Sequence, residues 1–255
     1  MSNWSRASSA CLGVALLAVG AIIQTAGCSE VKFGGKSAGE VFEVPQVAAL
    51  AEAGCDGDLA KMDTLVRQGV DVNATGDQGG PVLAWVLFCK NYAGVEKLLS
   101  LGANPNYKIG GGDSVTWIAA AADDQKWLPL MLAHGGDPNI WSGARSALML
   151  TISYNRMQNF QLLLEHGVDV NAHDIGHNSA VTYAVAERKY GIVIDLLNHG
   201  YNYELPRLAR AMNNSVTTPN SKASVQRIQI LDMLRERGVE LPPPPSSRPS
   251  SSPQH

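Results

Sequence analysis

Six histidines, four cysteines and two short glycine-containing runs are the places in this 255-residue chain where chemistry could be done. His173 and His177 stand four apart in HDIGH, with Asp174 between them. On a helix that spacing would offer two imidazoles to one metal ion. The segment reads as a hairpin, however, and no further ligands converge on it, so neither a metal nor a cofactor is expected. His134, His166 and His199 each stand directly before a glycine, a place where a partial positive charge is welcome if the glycine ends a helix. Gly34-Gly35-Lys36-Ser37 has the ending of a phosphate-binding loop. The first glycine of that motif would fall on Glu30, and no strand precedes it. Gly112-Asp113-Ser114-Val115 offers Ser114 as a nucleophile for acyl transfer. No histidine and acid are oriented to activate it, and a serine there suits a helix cap. The expectation is a chain that is not an enzyme.

The elements that carry these residues repeat. Six segments superimpose: LVRQGVDVNA from Leu65, LLSLGANPNY from Leu98, MLAHGGDPNI from Met131, LLEHGVDVNA from Leu163, LLNHGYNYEL from Leu196 and LRERGVELPP from Leu234. Their glycines, at 69, 102, 135, 167, 200 and 238, are separated by 33, 33, 32, 33 and 38 residues. Paired apolar residues such as Leu163 and Leu164 suit a helix face packed on a neighbour. Gly167 then ends that helix in the left-handed conformation. Asp169 and Asn171 suit the turn beyond, because their side chains bond nearby backbone. A glycine closing an apolar helix every 33 residues or so resembles the ankyrin repeat. The resemblance covers residues 44–241 and implies an all-α ankyrin-repeat solenoid of about six helix-turn-helix units with hairpins between them.

Departures from the family pattern are also legible. Where ankyrin repeats open with Thr-Pro-Leu-His, this chain has stretches beginning at Ser114, Ser146 and Ser179. Serine can still cap the helix, but the family's linking histidines are missing. The 38-residue spacing reads as an insertion at Met212 to Ser224, and Pro129 should bend or shorten the second helix of the third repeat.

The ends do not belong to the repeat. Arg6 is the sole charged residue among the first 28, and Ala10 to Ile23 is mainly apolar. That length fits an export signal and falls short of a membrane span. Thr25-Ala26-Gly27-Cys28 resembles a bacterial lipoprotein signal, with Thr25 where that pattern usually has leucine. The resemblance implies a signal peptide over 1–27, acylation of Cys28, a tether over 28–43, and a periplasmic domain anchored to the outer membrane. Pro242 to His255, with four consecutive prolines, reads as a disordered tail. Of the other cysteines, Cys11 leaves with the signal, while Cys55 and Cys89 sit 14 and 13 residues before their repeat glycines. An oxidising compartment permits a disulfide between them. Adjacent helices lie about 8–10 Å apart and a disulfide needs Cα atoms within about 7 Å, so two buried thiols are expected instead.

Composition narrows what such a solenoid could do. With 17% charged residues and a net charge of −3, the chain lacks the basic stripe that nucleic-acid binding needs. The reading is a protein-binding module without a cofactor. Carrying the ankyrin pattern over position by position, the hairpin tips offer Asp77, Gln78, Lys108, Asp113, Trp141, Arg145, His173, His177 and Asn178. The exposed ends of the first helices offer Phe88, Tyr154 and Glu187. Aromatic residues and arginine dominate binding hot spots, which puts Trp141 first. Taken whole, the sequence resembles envelope ankyrin lipoproteins of bacteria. Some of these are immunity proteins against type VI secretion effectors, often phospholipases; others are periplasmic scaffolds that support envelope or oxidative-stress enzymes.

Overall fold

A computed structural model describes residues 35–242. The expected signal, Cys28, residues 28–34 of the tether and residues 243–255 of the tail lie outside the described residues. The folded unit begins at Ala38, inside the span read as tether. A short helix, Ala38–Val41, packs on the first long helix. Phe42 is buried behind it, edge-on to Trp85 at 5.7 Å.

Six helix pairs follow among the described residues, as expected of an ankyrin solenoid. The inner helices are Pro45–Asp56, Val82–Phe88, Val115–Ala121, Ala147–Ser153, Ala180–Ala186 and Leu205–Asn214. The outer helices are Leu59–Arg67, Tyr92–Ser100, Trp127–Ala133, Met157–Glu165, Tyr190–Asn198 and Lys222–Glu236. Inner helices such as Val82–Phe88 (VLAWVLF) are apolar all round, because both flanks pack on other repeats. Seven residues make a rod of only about 10 Å, too short to persist without neighbours. The core is therefore a row of shared interfaces, with Leu98, Leu128, Leu148, Phe160 and Leu196 all fully buried.

The repeat glycines do what their spacing predicts. All six have φ between 70° and 95°. At each, the following residue donates its N–H to the carbonyl five positions back, as Val168 does to Leu163 at 3.1 Å. An added Cβ would meet nothing within 4 Å at any of them, so glycine is there for conformation and not for room. A second left-handed position recurs at the end of the inner helices, at Gly57, Lys90, Asn155 and Arg188. Ser114 and Ser146 cap their inner helices, accepting hydrogen bonds from Trp117 and Met149 N–H. Pro129 coincides with a shortened helix: Trp127–Ala133 has seven residues where the neighbouring outer helices have nine.

The repeats are joined by a lattice of asparagines in the turns that follow the repeat glycines. Asn73, Asn106, Asn139 and Asn171 occupy one position of the motif. The residue two before each accepts its backbone N–H, as Asp137 does from Asn139 at 2.8 Å. The asparagine side chain then crosses to the next repeat. Asn106 donates to the carbonyl of Gly135 at 2.8 Å and accepts from the N–H of Asp137 at 2.9 Å. Asn73 and Asn171 repeat both bonds one and two units away. A second set of ties caps inner-helix carbonyls: Asn91 reaches Cys55 O, Arg156 reaches Ala121 O, and Lys189 reaches Ile152 O.

Two places differ from expectation. Cys55 and Cys89 form a disulfide, with Cα atoms 5.4 Å apart, and both are half-buried, so the expectation of two buried thiols is wrong. An interhelix spacing of about 8–10 Å describes mid-helix crossings. These cysteines sit at the last turn of one inner helix and the C-cap of the next, and the chains converge there. An ideal Cβ on Gly94 would lie 2.0 Å from Gly54 O, which shows how close the approach is. The last spacing also has a different anatomy from an insertion at Met212 to Ser224. Helix Leu205–Asn214 starts five residues after Gly200, where earlier inner helices start 12 or 13 after theirs. The fifth hairpin is absent, and the extra residues lengthen both helices and the loop joining them.

Candidate functional site

Four hairpins project between repeats, closed by the pairs Thr75↔Pro81, Lys108↔Ser114, Trp141↔Ser146 and His173↔Ser179. The third, a two-stranded ladder of Trp141–Ser142 with Arg145–Ser146, is one residue shorter, which accounts for the 32-residue spacing. Neighbouring hairpins touch. Gly79 approaches the backbone of Gly110, and Ser142 Oγ donates to Asp113 in the hairpin before it. Trp117 Nε1 donates to the carbonyl of Arg145 at 3.0 Å, tying the third hairpin to the helix beneath.

The tips hold the predicted residues in unequal states. Asp77, Gln78, Lys108, Arg145, His173 and His177 are exposed, and Trp141 is half-buried against its hairpin. Asp113 is half-buried and engaged by Ser142. Asn178 is committed to Asp174, which accepts from its backbone N–H at 2.8 Å and its side-chain amide at 3.0 Å. Those bonds, with another from Gly176 N–H, hold the Asp174 carboxyl below the usual range. Phe88, Tyr154 and Glu187 lie at the C-terminal ends of inner helices, a helix length of about 10 Å from the hairpins. Tyr154 is half-buried, and Glu187 pairs with Lys189 at 2.7 Å.

His173 and His177 come together as a stacked pair. Their rings lie nearly parallel with centroids 5.9 Å apart, and Tyr203 stacks on His173 at 3.8 Å. His177 Nδ1 hydrogen-bonds the Tyr203 hydroxyl. Glu204 stands 3.6 Å from His177 Nδ1, and Arg207 bonds both Glu204 and the carbonyl of His177 at 3.1 Å. Partial desolvation, then the Glu204 charge, raises the Tyr203 phenol above its ordinary range. Ile175 at the tip is fully exposed. Among the described residues no group of three His, Cys, Asp or Glu is placed to hold a metal ion. His166 and His199 instead contact the carbonyls four residues earlier at helix ends, and Ser114 is buried in its capping role.

Sequence reasoning passed over Tyr203, Ile175, Arg207 and Arg210. A signal existed for the first: Tyr203 and Glu204 stand where the preceding motifs have Val or Pro followed by Asn. Nothing in the pattern marked the arginines.

Comparison with known proteins agrees with this geometry. Residues 116–207 match the family model described as Ankyrin repeats (3 copies). A curated relative, the Nuclear factor NF-kappa-B p105 subunit of Gallus gallus, is 37% identical over 84 residues, 31% of this chain. The chain spans about 8% of that relative's length. The matched residues carry ankyrin repeats, and repeats of this kind indicate a protein–protein interaction module. No helix among the described residues is long and apolar enough to cross a membrane.

Proposed function

We propose that the chain is a non-catalytic binding protein of the bacterial envelope, and that it is an immunity protein that occludes a periplasmic phospholipase delivered by type VI secretion. The observation that carries the binding role is the hairpin row. Its tips expose Lys108, Arg145, His173, Ile175 and His177, while the turns between repeats are joined by repeat-to-repeat bonds. A row presenting cationic, imidazole and apolar groups is suited to gripping a folded partner. The Cys55–Cys89 bond supports an oxidising location, since such bonds are rare where thiols are kept reduced. The signal resemblance around Cys28 supports anchoring by acyl groups there, with the phospholipase as partner following from the likeness to envelope ankyrin lipoproteins.

The test is co-expression with a periplasmic phospholipase toxin. Cells carrying the intact chain should survive and the two proteins should co-purify. Trp141→Ala combined with Arg145→Ala should weaken the complex by about tenfold or more. Undiminished binding by that double variant would remove the hairpin row from the reading. Failure to protect against any such toxin would leave the scaffold role in its place. Labelling with a palmitate analogue tests the anchor separately: label should enter the wild type and be absent from Cys28→Ala.

A further inference from the structure

Charge is distributed unevenly along the solenoid. Among the described residues up to 80, eight carboxylates stand against three cations, Lys36, Lys61 and Arg67, a net of −5. Over residues 81–242 acids and bases number fourteen each, so the later repeats are neutral as a group. Little of the early excess is cancelled locally. Asp58 and Asp71 accept from backbone N–H groups, which leaves their charge in place. Asp63 meets one cation from the second repeat, Lys97 at 2.6 Å, which trims the net to −4. Glu43, Glu52 and Asp56 have no partner among the described residues; Glu43, Glu52 and Asp56 are also not buried. One cavity of about 420 Å³ lies in this acidic end, between the start of helix Pro45–Asp56 and hairpin 75–81. Phe42, Val44 and Val47 line it with apolar surface, and the exposed residues Glu43 and Asp77 line it with carboxylates. Its two sides are seated on each other: an ideal Cβ on Gly76 would lie 2.6 Å from the Val41 carbonyl oxygen.

From this we infer that the groove docks a basic segment of a protein partner, with the stem of one Lys or Arg along Phe42, Val44 and Val47 and its charge meeting Glu43 and Asp77. The inference rests on reading the hairpin row as the binding surface, since hairpin 75–81 opens that row, and adds the chemistry of what its first end binds. Long cationic side chains are apolar along the stem and charged at the tip, so apolar walls with carboxylates beside them match both parts. The volume is near the small end for ligand pockets, room for a side chain or two. The unbalanced charge of the first repeat steers such a segment in from a distance. The same field repels nucleic acid and anionic lipid.

The experiment uses defined probes and needs no toxin. A fluorescein-labelled twelve-residue peptide of Lys and Arg among Ser and Gly is titrated with the whole chain, beside a counterpart with Glu and Asp in place of the bases. The basic peptide should bind in a salt-sensitive way and the acidic one should not. Glu43→Gln with Asp77→Asn should weaken binding by about tenfold, and adding Val44→Ser should weaken it further. Glu52→Gln with Asp56→Ser removes the same charge from the same repeat outside the groove, and should cost no more than about twofold. Equal losses from the two pairs overturn the inference, because general acidity would then be the whole attraction. So does displacement of the peptide by calcium chloride far beyond that by sodium chloride at equal ionic strength, which would mark a divalent-cation site. If the basic peptide is ignored while the chain still neutralises the toxin, the immunity reading stands and this one falls. The converse pattern, basic peptide bound and no toxin neutralised, separates them the other way.

Discussion

Single backbone positions set the strongest constraints in this molecule, and they do so for two different reasons. At Gly94 the reason is space: a methyl group would sit 2.0 Å from Gly54 O and 2.8 Å from Gly54 C, and neither can yield without parting two helices. Gly94→Ala should cost about 3 kcal/mol in a urea melt, at the upper end of overpacking effects. At Gly167 the reason is conformation, because φ is 70° and the surroundings are open. Gly167→Ala should cost only about 1 kcal/mol. The same logic runs backwards at Arg188, an arginine held at φ 57°. Arg188→Gly should raise stability by up to about 1 kcal/mol. A melt in which Gly167→Ala proves the more damaging of the two alanines would show that the Gly54–Gly94 contact is looser than described.

Helices and hairpins here depend on bonds that pass between repeats more than on their own propensity. Asn106→Ala removes a donor to Gly135 O and acceptors for Asp137 N–H and the Thr116 hydroxyl. A loss of about 1–3 kcal/mol is expected, with amide exchange quickening on both sides of the third repeat. In hairpin 173–179 the Asp174 carboxyl is depressed by Asn178 and Gly176, so its ionised form stabilises the fold. That contribution is present above the unfolded-state value and drains away as pH falls through the lower folded one. Protection of the Gly176 and Asn178 amides should therefore decline below about pH 4, and Asp174→Asn should flatten the dependence. Much of this was legible beforehand. Glycine spacing gives the helix ends, and serine gives the caps of the third and fourth inner helices. What the residues hid was direction. Asn171 suits a local turn by composition, yet its side chain bonds the next repeat. Asp113, Asn178 and Glu187 read as free polar groups and turn out to be engaged. Composition shows which groups can bond, while only the fold shows which already have.

At the scale of the whole solenoid, neighbours depend on neighbours, and the disulfide strengthens one junction among several. Closing a loop across a sequence separation of 34 residues is worth about 3–4 kcal/mol by loop entropy. Reduction should lower amide protection chiefly over the first two repeats, 45–100, and leave 147–198 almost as before. Uniform loss along the chain would mean that the repeats unfold as one unit. The bond also alters how the domain would bear a load. A pull entering at Pro45 passes from Cys55 to Cys89 through sulfur, bypassing the hairpin 75–81 and the outer helix Leu59–Arg67. Those residues form a closed ring that cannot be drawn out. Apart from residues 45–54 ahead of the bond, the extensible chain lies beyond Cys89, so stretching would spare the ring and lengthen the fold from its second outer helix onward.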